Sequence, residues 1–99
     1  MIVYNVSVQI DEDVKKDWLK WMKEKHIPDV MNTGFFIRFN FLEILNEEAE
    51  NTYAIQYFCK DIGMLNTYFD EFASGLQEEH SSKYKNKFVA FRTIMEEVR

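Results

Sequence analysis

Two stretches of this chain carry large apolar side chains at odd and even positions alike. In FFIRFNFLEIL (35–45), Phe35, Ile37, Phe39 and Phe41 stand against Phe36 and Leu42. In KFVAFRTIMEEV (87–98), Val89, Phe91 and Met95 stand against Phe88 and Ile94. A strand of an antiparallel sheet with one solvated face alternates apolar with polar. Strands that are apolar on both sides need cover on both sides, so helices packed on one face do not suffice. Length sharpens the point. A chain of 99 residues makes one domain (1–99) with a thin core, yet 46% of it is hydrophobic and 16% aromatic. Part of that surface is expected to be buried against a second copy.

The other segments set the order of elements. MIVYNVSVQI alternates, with Ile2, Tyr4, Val6, Val8 and Ile10 on one face and Asn5, Ser7 and Gln9 on the other. Asp11 or Asp13 can cap a following helix, in which Val14, Trp18, Trp21 and Met22 share a face. Pro28 lacks an N–H, so that helix is expected to kink or restart near His26, with His26 hydrogen-bonded inside the bend. Gly34 can end it in the left-handed conformation. The first two-faced strand follows, then the polar turn NEEAEN and the strand TYAIQYF, close enough for an antiparallel hairpin. Asp61 caps a second helix carrying Leu65, Phe69, Phe72 and Leu76, which Gly75 is expected to break or bend. The second two-faced strand closes the chain. The fold class is therefore α+β: a ferredoxin-like βαββαβ plait with a four-stranded antiparallel sheet and helices on one face. Sheet-to-sheet pairing of two copies would make it a dimeric α/β barrel.

Charge and composition exclude several partners. Net charge is −5, which repels phosphate backbones and anionic lipids, so no nucleic acid and no membrane surface is expected. No apolar run is long enough to span a bilayer, and the N-terminal stretch reads as a strand instead of a signal peptide. A single cysteine, Cys59, allows no internal disulfide, which suits a reduced, cytoplasmic setting. No cofactor motif is present, and Gly34, Gly63 and Gly75 stand apart, so no phosphate-cradling loop forms. His26 and His80 lack the companions that a metal site needs, so no metal is expected.

The segments MIVYNVSVQI, WLKWMKEKHIPDVMNTGFF, TYAIQYF and FVAFRTIMEEV together resemble an uncharacterised bacterial family, the domain of unknown function 4286. The resemblance spans nearly the whole chain and implies no reaction. The layout is also similar to the dimeric barrels of antibiotic-biosynthesis monooxygenase-like proteins, a likeness of fold that transfers no function.

Candidate site residues come from the sheet face turned away from the helices. Alternation assigns Asn5, Ser7, Gln9, Arg38, Asn40, Gln56 and Arg92 to that face, with Phe36, Phe58 and Phe88 among them. Apolar walls with a few placed polar groups describe a small-molecule site, and Arg38 or Arg92 could hold a carboxylate. The same groups could equally bond one another across a dimer or face water. His26 and His80 each continue a helical apolar stripe near a helix end, and serve as packed side chains or as acid–base groups. An oxygenase-like set of Asn5, Tyr57 and His80 fits poorly, because His80 falls beyond the Gly75 break.

The expected protein is a cytoplasmic homodimer, joined through the sheet face, that binds a small organic ligand between the two sheets or serves as an assembly module without catalysis. Two alternatives stand beside it. One is a small cofactor-light enzyme, oxygenase- or isomerase-like, in the inter-sheet cavity. The other is a protein-recognition module. The sequence names neither ligand nor reaction.

Overall fold

The computed structural model describes residues 1–99. Strand β1 (Ile2–Ile10) leads through a short 3-10 turn into a helical arm made of α1 (Lys15–Trp21), a π turn (Met22–His26) and α2 (Ile27–Met31). Strands β2 (Arg38–Glu43) and β3 (Thr52–Cys59) form the hairpin. The second arm is α3 (Ile62–Tyr68), a π turn (Phe69–Ala73) and α4 (Ser74–Lys83), and β4 (Phe88–Glu96) follows. The sheet is antiparallel throughout, in the order β2-β3-β1-β4. This is the expected plait, with both arms on one face.

Local chemistry explains most boundaries. Asp61 caps α3 as anticipated, its Oδ1 accepting the Met64 N–H at 2.9 Å. At the first helix neither Asp11 nor Asp13 caps: Asp11 holds the N-cap position without a side-chain bond, and Asp13 instead accepts from Lys87 Nζ at 2.8 Å. Pro28 does not stop its helix. The bend is taken up one step earlier, where the Ile27 N–H reaches back five residues to the Met22 carbonyl. The wider turn moves the apolar stripe around the axis, burying Met22, Ile27 and Val30 while Lys25 stays exposed. Gly75 does not break its helix, and the second π turn lies just before it. Gly34 has φ +86°, the left-handed ending expected of it. The strand after it starts later than the apolar run suggests. Phe36 leaves the ladder and is buried among Tyr4, Tyr57 and Tyr68, and β2 begins at Arg38.

Register decides which side chains share a face. Asn5 lies opposite Gln56 on one side and Thr93 on the other, and Val6 lies opposite Ile55 and Arg92. The open face, away from the helices, therefore carries Asn5, Ser7, Gln9, Arg38, Asn40 and Gln56 as expected. Arg92 and Phe88 are corrected: both lie on the helix-facing side, level with Val6 and Ile10. Phe36 is likewise in the core. In a strand apolar on both faces, alternation cannot set the phase, and a one-residue difference turns every side chain over. The open face remains apolar at its β4 edge, where Phe91 is 67% and Val89 52% exposed.

Candidate functional site

The arms do not close completely on the sheet. A cavity of about 40 Å³ remains between them. Tyr4, Val6 and Val8 from β1, Ile55 and Tyr57 from β3, and Phe88, Ala90 and Arg92 from β4 form its floor. Met22, His26 and Val30 come from the first arm, and Tyr68, Leu76, Gln77 and His80 from the second. Alternation on the strands and the four-residue helical step bring these positions to one place.

The two histidines, 54 positions apart in sequence, meet here with ring centroids 5.6 Å apart. The Trp18 indole N–H donates to His80 Nε2 at 2.9 Å, so that nitrogen carries the lone pair and the ring is neutral with its proton on Nδ1. Burial pushes the His80 pKa down to about 4, and the nearby His26 and Arg92 act in the same direction. His26 stacks on Trp21 with centroids 5.0 Å apart. It does not bond a freed carbonyl in the bend: its Nδ1 is buried without a partner. Its pKa is also lowered, chiefly by burial. Glu79 and Asp29 oppose that shift, and Lys25 and Arg92 add to it.

The tyrosines form the other wall. Tyr4 lies 6.1 Å from Tyr57 and 6.2 Å from Tyr68, centroid to centroid. Burial raises all three phenols, which stay protonated as hydrogen-bonding groups at neutral pH. The charge of Arg92 offsets part of that rise at Tyr4 and Tyr68. Of the lining residues only Arg92 is exposed, so the cavity opens at the edge strand β4.

The remaining sequence-derived candidates stay on the open face, and four of them form two pairs. Asn5 Nδ2 donates to Ser7 Oγ at 3.0 Å, and Asn40 Nδ2 to Gln56 Oε1 at 3.2 Å. The Arg38 guanidinium sits 3.6 Å over the Phe58 ring. Gln9 is exposed beside them. The Asn5, Tyr57 and His80 set is not brought together, since Asn5 lies on the opposite face from the other two. Tyr4, Tyr68 and Gln77 were not singled out in the sequence. Tyr4 was legible only as a member of the inward face of β1. No three metal-ligating side chains converge anywhere, and no helix is long and apolar enough to cross a membrane.

The histidine pair has a consequence for acid stability. His80 takes up a proton near ~6.5 when unfolded but only near 4 when folded, so the unfolded chain binds more protons between those values. Stability therefore falls as pH drops through that window, by on the order of 1–2 kcal/mol between pH 6.5 and 5 from His80 alone. His26 adds to the fall in the same direction. Urea midpoints should be level above neutrality and drop across this interval, and His80→Gln should flatten the drop. A level profile in the wild type would mean that the ring is not held neutral.

The sheet, the two arms and the enclosed cavity define a protein of ferredoxin-like fold. The chain belongs to the family described as domain of unknown function DUF4286, whose sequence profile matches residues 1–98. No functionally curated protein matches it in sequence. Among solved structures it is similar to a dimeric ferredoxin-like protein from an uncultured marine organism, with 12% identity, TM-score 0.69, and coverage of 99% of this chain and 98% of that one. An antibiotic biosynthesis monooxygenase gives 10% identity and TM-score 0.67, with all of both chains covered. A MhuD variant with two manganese protoporphyrin IX molecules per active site gives 13% identity and TM-score 0.70, covering 100% of this chain and 96% of that one. At these identities the likeness is one of fold. A cavity of about 40 Å³ has no room for a macrocycle of porphyrin size.

Proposed function

We propose that the protein is a homodimer that binds a small organic molecule, with one ligand held inside each copy between sheet and helices. The observation that carries this reading is the cavity itself. Its walls are mainly apolar and aromatic, and a few polar groups converge on it: His26, His80, Gln77 and Arg92. The space between two paired sheets is the weaker site, because Asn5 and Ser7, and Asn40 and Gln56, are already bonded to each other and Arg38 stacks on Phe58. That face is better used for assembly. Its exposed Leu42, Val89, Phe91 and Met95 would be buried by a second copy, and a structural relative of the same fold is described as dimeric. Cys59, buried and unpaired, suits a reducing cytoplasm.

A second reading is turnover in the same cavity. The buried, unpartnered Nδ1 of His26 supports it, since a neutral imidazole beside a bound ligand can accept a proton. Arg92 would then anchor the substrate.

Amide chemical shifts of the labelled protein in the presence of acetone and isopropanol test the placement. Expected shifts centre on Val8, His80 and Ala90, which line the cavity. Shifts centred on Ser7, Asn40 and Gln56 would move the site to the sheet face. No saturable shift at either place would remove the ligand reading.

A further inference from the structure

We propose that the cavity ligand is a small organic anion, its charged group held by Arg92 at the mouth and its apolar end enclosed between the sheet and the two helical arms. This rests on the cavity being the binding site and adds the chemical class. The first support is charge. The chain has 17 acidic residues and a net charge of −5, yet none of the residues lining the cavity is Asp or Glu. The one charged lining residue is a cation.

The second support is that this cation has no carboxylate partner. The five salt bridges engage Lys15, Lys25, Lys83 and Lys87, and none involves Arg92. A planar guanidinium with two parallel donors matches a carboxylate or an enolate oxygen pair, and the bidentate geometry is stronger than a lone ammonium contact. The third support is reach. Arg92 lines the same cavity as Tyr4, Tyr68, His26 and His80, and its charge bears on all four. Their protonated phenols and neutral imidazoles bring no competing anion.

Size narrows the class. About 40 Å³ is little more than the roughly 30 Å³ share of one water, so only the short apolar end of a small carboxylate enters as the cavity stands, and its charged group stays at the mouth beside Arg92. A neutral ligand of the same shape gains the apolar contact but loses the charged one.

The test compares propionate with propionamide on the labelled protein, followed by amide shifts of Val8, His80 and Ala90. Propionate should bind at least about tenfold more tightly, the range that a hydrogen-bonded charge contributes. Arg92→Gln should remove that preference, and Arg92→Lys should keep part of it. Arg92 is exposed on an edge strand, so both variants are expected to fold. Equal binding of the two probes would overturn the anion class and leave the cavity reading standing. A preference that survives Arg92→Gln would overturn the role of Arg92. If neither probe shifted the cavity amides, both the class and the cavity reading would fall.

Discussion

Trp18→Ala is expected to cost about 3–5 kcal/mol, a large share of the roughly 5–15 kcal/mol that holds a domain of this size. Trp18 has no exposed surface. Its ring packs at 5.3 Å from Tyr53 and 5.8 Å from Phe41, so it pins α1 to the hairpin strands. Its N–H also fills the lone pair of His80 on the other arm. Truncation leaves a void and a buried acceptor without a donor, and the two losses act on the same layer. Trp18→Phe separates them: it keeps much of the packing and loses the bond, for about 1–3 kcal/mol. Urea denaturation monitored by far-ultraviolet circular dichroism measures both. A loss below about 1 kcal/mol for the alanine variant would show that the layer closes around the gap without help from this side chain.

Phe91→Glu should split the dimer. Wild-type protein at micromolar concentration is expected at twice 12.0 kDa by light scattering, and the variant at 12.0 kDa. Phe91 is 67% exposed in the single chain, so the substitution costs the monomer little. Across a paired sheet face it would bury an unmatched carboxylate, which weakens association by several kcal/mol, or more than about a hundredfold. Lys16→Glu, on the exposed side of the first arm, changes charge twice as much and should leave the mass unaltered. If Phe91→Glu stayed dimeric, the interface would lie elsewhere, and if the wild type were monomeric the assembly reading would be lost.

These expectations draw on different depths of information. The plait was legible because β1 and β3 alternate cleanly, and because helical spacing and turn residues separate the elements. The Asp61 cap and the Gly34 ending were legible because each depends on a local requirement: an unpaired N–H to fill, or a positive φ. Two-faced strands also pointed to an open apolar sheet face, and Phe91 and Val89 stand exposed there.

The site was harder to see. Arg92 was assigned to the open face because its strand is apolar on both sides, and phase is then decided only by pairing with β1. The bend at Pro28 was foreseen, but not its form: the π turn depends on what the wider helix can bury against the sheet. His26 and His80 were each recognised as inward-edge residues, and nothing in their local sequence says that they meet. By itself the sequence determined the order of the elements, the inner faces of β1 and β3, and the acidic balance of the chain, because these follow from periodicity and composition. Only the tertiary structure decided the phase of β4, the meeting of the two imidazoles and the uncompensated guanidinium above them. Those are set by contacts between segments far apart in the chain, where the choice of partner, and not the local pattern, carries the energy.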